Sequence, residues 1–278
     1  MFQPAIPLSG YGGWKFLQST YSSQLQNFSD SASIKNDRDY LTEKLSKPVS
    51  LDEFMADKRL LRITLTSVDL GGEEWKGGFI RKVLDEAADP ESTFLKRLNN
   101  ADYSKFASTF SFTDGTMSLS ADALEQIGEN FETAAFRNAV GDVDDNMRLS
   151  LNYQSKIVDI AAAGSSERTV LYKLLGNVPM RTVLETAMNL PSDMNNLDID
   201  RQADILKEKL QSHFGITDIS DMASLDKIDK VLQRFHVMNT VSNGPSVNTP
   251  GYAALTLLSG SSSGFGDIAS QNLFLSQF

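Results

Sequence analysis

The chain has no cysteine and only two histidines in its 278 residues. Without cysteine there is no disulfide, no thiolate metal ligand and no thiol nucleophile. His213 and His236 alone make a transition-metal site a poor expectation. Basic residues are also scarce: 26 Lys and Arg against 36 Asp and Glu give a formal net charge of −10. A nucleic-acid binder needs a basic face to neutralise phosphates, and anionic lipid recruits basic clusters in the same way, so neither partner is expected. No apolar run reaches the ~18 residues of a membrane-spanning helix. The opening MFQPAIPLSGYGGWKF lacks a basic segment followed by an apolar run, so no cleaved secretory signal is expected. The default compartment is the cytoplasm. No Walker motif and no G-x-G-x-x-G is present, which removes the common phosphate-cradling loops.

What the sequence does have is helical periodicity. Residues 1–13, with Pro4, Pro7, Gly10, Gly12 and Gly13, read as a flexible leader. From Trp14 the large residues recur at steps of three and four through Leu17, Tyr21, Gln24 or Leu25, and Phe28, with Lys15, Gln18, Ser22, Ser23 and Gln26 opposite. That is an amphipathic helix. Its Trp and Phe must be covered, since burial of each such side chain contributes about 1.5–3 kcal/mol. Either this protein's own core or a partner's groove covers them, so Trp14, Phe16 and Leu17 are candidate partner contacts. Further helices are expected over 38–45, 51–56, 58–68, 121–138, 144–163, 167–175, 179–188, 198–214 and 224–237, with Gly141 as a turn. Ser50 and Glu53 spell a capping box, and Asp57 can cap the helix after it. Few stretches alternate with period two, so strands are a minor component. The fold class is all-α: a multi-helix domain over 14–238, an N-terminal amphipathic helix and an irregular C-terminal tail.

That tail, residues 239–278, holds one Asp and no Glu, Lys or Arg, yet carries Tyr252, Leu255, Leu257, Leu258, Leu273, Phe274, Leu275 and Phe278. A purely solvated linker would not contain so many large apolar residues. The tail either packs on the body or adds to a partner, and Leu273, Phe274 and Phe278 are candidate contacts.

Two segments resemble each other at an offset of about 120 residues, a longer period than ordinary solenoid repeats have. Residues 57–71 lie over 177–191, placing Leu60 over Met180, Ile63 over Val183, Ser67 over Ala187, Val68 over Met188 and Leu70 over Leu190. After a two-residue gap, Val83-Leu84 lie over Ile205-Leu206. Both copies read as polar cap, short helix, apolar residue, breaker, spacer and longer helix. We therefore expect an internal duplication with halves at about 50–112 and 166–238.

The candidates for chemistry fail one at a time. Gly260-Ser261-Ser262-Ser263-Gly264 matches the letters of a nucleophile elbow, but that motif needs a strand before it and a helix after it. Both histidines fall near ends of expected helices, where the helix dipole favours them. Asp142, Asp144 and Asn146 have calcium-loop spacing, but Met147 and Tyr153 stand where a glycine and a glutamate are required. Asp198, Asp200 and Gln202 fail the same test at Ala203 and Lys209. Glu73 and Glu74 point apart on a helix and form no acid–base dyad. No catalytic set, cofactor or metal is expected. The Asp200-Arg201 pair, at a loop-to-helix transition, is the first place to look for a pocket.

The segment Gly176-Asn177-Val178-Pro179-Met180-Arg181-Thr182-Val183-Leu184-Glu185-Thr186-Ala187-Met188-Asn189-Leu190-Pro191, followed by Leu197-Asp198-Ile199-Asp200-Arg201-Gln202, resembles the signature of an alphaproteobacterial family of uncharacterised function found in flagellar gene clusters. Gly12-Gly13-Trp14-Lys15-Phe16-Leu17, Asp57-Lys58-Arg59-Leu60-Leu61-Arg62 and Ala139-Val140-Gly141 with Met147-Arg148-Leu149 agree with it in the same order. In the first copy, Val68-Asp69-Leu70-Gly71 departs from that family's Phe-Gly-Leu turn. The resemblance spans roughly residues 10–238. It implies an all-helical fold, no catalytic residues, flagellar proteins as partners, and either a cytoplasmic site or a flagellar one reached without a cleaved signal. The expected function is that of a non-catalytic flagellum-associated protein acting by protein–protein interaction. A helical scaffold or regulator unrelated to motility is the alternative; a small-ligand binder or enzyme with a pocket between the repeat halves is a second.

Overall fold

The computed structural model describes residues 2–89, 91–162 and 164–243. Among these, helices dominate and the sheet is a single two-stranded pair, so the chain is all-α. No helix among the described residues is long and apolar enough to cross a membrane. The contacts divide the helical region 14–238, expected as one domain, into two compact units. Among the described residues, the first is Thr20–Val143 with residues 2–4; the second is Ala5–Ser19 with the chain from Asp144 to Asn243. Helix α1 (Gly10–Ser29) runs through the boundary at Ser19/Thr20.

The first unit contains the rest of α1, then α2 (Ala32–Leu45), α3 (Leu51–Ala56), α4 (Lys58–Thr66), α5 (Gly77–Ala87), α6 (Phe94–Leu98), α7 (Ala101–Thr109) and α8 (Ala121–Val143). Strand β1 (Val49–Ser50) pairs antiparallel with β2 (Thr116–Met117). The expected capping box is present: Glu53 N–H donates to Ser50 Oγ, and Ser50 N–H donates to the Glu53 carboxylate at 3.0 Å. Asp57 caps α4 by accepting from Leu60 N–H at 2.9 Å. Helix α2 starts six residues before the expected Arg38. Its inward positions are Ile34, Asp37, Leu41 and Leu45, and a carboxylate in that row breaks the apolar pattern. Asp37 is tolerated there because Arg59 and Arg62 donate to it at 2.9 and 2.7 Å, satisfying the buried charge. The core of this unit is aromatic, with Phe54 against Phe106, Phe110 and Phe112 at ring separations of 6.4, 5.8 and 5.6 Å. Helix α8 runs through Gly141, which was expected to be a turn.

The second unit holds α9 (Asp145–Ala162), α10 (Glu167–Gly176), α11 (Val178–Met188), α12 (Ile199–Phe214) and α13 (Leu225–Asn243). Gly13, in the first turns of α1, explains the Gly-Gly-Trp of the sequence. A Cβ there would stand 1.9 Å from the Leu8 carbonyl oxygen and 2.9 Å from Met147 Cε. Only glycine lets the leader fold back and Trp14 seat itself.

The paired segments share backbone geometry. Asp57 and Asn177 each end one helix and cap the next. Asp69 and Asn189 each take the left-handed conformation, at φ 65° and 51°. The following leucine N–H then reaches back five residues, Leu70 to Leu65 and Leu190 to Glu185, both at 2.9 Å. This is a Schellman-type stop built twice at the same register. After the two-residue gap, α5 and α12 begin at equivalent positions, Gly77 and Ile199.

Candidate functional site

In the second unit the turn from α11 into α12 is organised by Arg181. Asn177 caps α11 through Met180 N–H at 3.1 Å, and Pro179 sits in its first turn, where a missing N–H costs nothing. One turn further on, the Arg181 guanidinium donates to Glu185 at 2.6 Å, to the buried Gln202 carboxamide oxygen at 3.0 Å, and to Asn195. Gln202 in turn donates to the Leu197 carbonyl at 2.7 Å. Asp198 caps α12 by accepting from Arg201 N–H at 2.9 Å. The polar letters of this segment therefore fix the turn between the helices.

Asp200 and Arg201 do not form a pair in a pocket. Asp200 lies on an exposed α10/α12 surface, accepting from Arg168 at 2.9 Å and from the Tyr172 hydroxyl. Arg168 also reaches Asp204. The Tyr172 hydroxyl, and then Arg168, hold the Asp200 carboxyl below the usual range. Arg201 is exposed, and its guanidinium has no carboxylate within ion-pair distance among the described residues.

Trp14 and Leu17 are buried inside the second unit, and Phe16 is half-buried. The Trp14 ring stacks on His236 at 5.9 Å and 24°. Trp14 and Leu17 are thus core residues that no partner reaches while the unit stays folded. The other candidates, Leu273, Phe274 and Phe278, lie outside the described residues. His236 is not at a helix end, because α13 continues to Asn243. It is 1% exposed and lies 2.9 Å from Ser150 Oγ through Nε2. The Ser150 hydroxyl also lies 2.8 Å from the Asn146 carbonyl, to which it can donate. Burial lowers the imidazole from 6.5 to about 4. The pair resembles a nucleophile and its base only by name, since the hydroxyl and the ring are both buried. Sequence reading missed it, since 86 residues separate the two.

A polar groove of about 690 Å³ opens in the first unit between α1, α2 and α8. Arg38 crosses it, donating to Glu125 at 2.6 Å and Glu132 at 2.9 Å. The guanidinium lies against Gly128, where a Cβ would meet Arg38 Nε at 3.0 Å. No group of three or more His, Cys, Asp or Glu among the described residues is placed to hold a metal. Asp144, one of the calcium-loop letters, instead caps α9 by accepting from Asn146 N–H at 2.9 Å.

The chain belongs to a family described as a protein of unknown function, DUF1217, whose model matches residues 67–228. It also resembles the X-ray crystal structure of a protein from Agrobacterium tumefaciens, with a TM-score of 0.66 and 24% identity, covering 87% of this chain and 100% of that one. That likeness concerns the fold alone. No curated protein matches the sequence.

Proposed function

We propose that this member of the family is a non-catalytic, flagellum-associated protein that acts through protein–protein contacts in bacterial motility or flagellar assembly, with flagellar components as its partners. The motility half rests on the resemblance of the Asn177–Pro191, Leu197–Gln202 and Asp57–Arg62 segments to the family of flagellar gene clusters. The interaction half rests on one structural observation. Large apolar side chains stand in solvent: Trp75 is 78% exposed, Leu225 79% and Val178 72%. Single exposed aliphatics are ordinary, but a tryptophan in water is the residue type most often found to anchor an interface. Its place of action is the cytoplasm, or the flagellum by a route without a cleaved signal.

Deleting the gene should impair flagellar assembly or swimming in soft agar. Normal filaments and normal swimming in the deletion strain would refute the motility half and leave the helical-scaffold reading. A pull-down from motile cells, comparing the full chain with a form lacking residues 239–278, tests whether the tail contributes to partner binding.

A further inference from the structure

The groove of the first unit already shows the kind of group it accepts. Its charged lining comes from α2, α8 and the turn before α2: Asp30, Asp39, Glu125, Glu129 and Glu132 against Lys35 and Arg38. Both cations are committed. Lys35 pairs with Asp30 at 3.0 Å, and Arg38 reaches across to Glu125 and Glu132 at 2.6 and 2.9 Å. Buried Gly128 makes that crossing possible, because a Cβ there would stand 3.0 Å from Arg38 Nε. The groove thus seats one guanidinium on two carboxylates. Two more carboxylates of the same lining, Asp39 and Glu129, have no cation within ion-pair distance among the described residues. Glu129 accepts only from the Gln126 carboxamide, at 3.4 Å.

Spacing and chemistry select the occupant. Glu125, Glu129 and Glu132 stand at i, i+4 and i+7 of α8, along one face and over about 10 Å of helix rise. Asp39 follows Arg38 on the α2 wall. Apart from Leu25, the rest of the lining is neutral and polar, so an apolar segment finds little to bury there. An acidic segment meets the excess of carboxylates and is repelled; a basic one is attracted. The concavity, of about 690 Å³, lets long basic side chains enter rather than lie on a flat face. We propose that this groove is a docking surface for a partner-protein segment that carries Lys or Arg at helical spacing, with Asp39 and Glu129 receiving its cations. This deepens the protein-interaction reading above and rests on it for biological meaning.

The test uses the full chain with labelled leucine methyl groups, since Leu25 lines the groove. Two synthetic alanine-based helical peptides are compared, one with lysines and one with glutamates at i, i+4 and i+7. The lysine peptide should shift the Leu25 methyl resonances and bind about tenfold tighter than the glutamate peptide, an advantage that shrinks in high salt. The Asp39→Asn/Glu129→Gln double variant should weaken that binding about fivefold. Glu208→Gln/Asp221→Asn removes the same charge from exposed positions of the second unit and should leave it unchanged. Equal weakening by the two double variants would reveal attraction to net charge alone and overturn the proposal. An unmoved Leu25, or undiminished binding by the Asp39/Glu129 variant, would do so as well. The Leu25 shift in the unsubstituted protein decides the matter even where a variant folds poorly. Swimming assays do not enter this result, so failure of the groove and failure of the motility reading are distinguishable.

Discussion

Acidification should destabilise the second unit through one residue, His236. Its imidazole titrates at about 4 in the folded protein against 6.5 when unperturbed. The depressed value means that the folded state resists the proton and the unfolded state takes it first. Stability from the neutral ring is thus complete above pH 6.5, falls as pH drops from 6.5 towards 4, and levels off below that. A difference of this size corresponds to about 3 kcal/mol across the window. The cause is burial: the ring sits under Trp14, with Ser150 as its hydrogen-bond partner and no carboxylate bonded to it among the described residues. Trp14 is one of two tryptophans, and the other, Trp75, is exposed. In a Trp75→Phe background, Trp14 fluorescence therefore reports this unit alone. Urea denaturation at pH 7.5, 6.5, 5.5 and 4.5 should be compared with the same series for His236→Leu. That side chain is similar in volume, does not titrate and leaves the Ser150–Asn146 bond intact. Carboxylate titrations are common to both proteins and cancel in the difference. The wild-type advantage over the variant should shrink by about 2.5 kcal/mol between pH 7.5 and 4.5. A difference that stays flat with pH would refute the reasoning.

Gly13→Ala should destabilise the second unit by about 1–3 kcal/mol through overpacking against the Leu8 carbonyl. Gly12→Ala, whose Cβ would meet nothing closer than Leu8 Cδ1 at 3.9 Å, should be near neutral, and thermal melts of the two variants decide it. Asp37→Ala should cost about 1–3 kcal/mol in chemical denaturation, less than a fully buried ion pair because both arginines are partly solvated; a value near zero would show that the carboxylate is not what holds α2 to α4. Tyr153→Phe should be neutral or slightly stabilising, because the buried Tyr153 hydroxyl has no hydrogen-bond partner among the described residues and its loss removes about 1 kcal/mol or more of desolvation penalty. A clear drop in melting temperature would mean that the phenol oxygen is bonded in solution.

What was legible in the sequence was local chemistry. Ser50 with Glu53, Asp57 and Asp198 announce helix starts because each cap is completed within three residues. Features closed by distant partners were not legible. The first half of α2 reads as polar because its inward residue is Asp37, and only the fold brings Arg59 and Arg62 to it. Gly141 reads as a turn, yet a glycine costs a helix only about 1 kcal/mol relative to alanine, too little to end α8 among the buried residues Phe136, Arg137 and Val140. The aromatic face of α1 was recognised, but not what covers it, because His236 lies more than two hundred residues away in sequence. At the candidate site, Asp200 and Arg201 were noticed as charges. The side chain that organises the turn, Arg181, was embedded in an apparently ordinary helix.

The polar residues carrying the family resemblance have a common physical role. Asp57 caps α4, Arg59 and Arg62 neutralise Asp37, and Arg181 binds Glu185, Asn195 and Gln202. Each closes a gap between helices within its own unit. Hydrogen bonds of this kind contribute about 0.5–1.5 kcal/mol each when made and cost more when one partner is removed. Substituting these residues should therefore lower stability first and impair function only through the fold. Substituting the exposed Trp75, Leu225 or Val178 should do the reverse, since solvent already reaches them and little packing is lost. If the motif residues instead proved functional in a variant of unchanged stability, the division between polar scaffold and apolar display would be wrong.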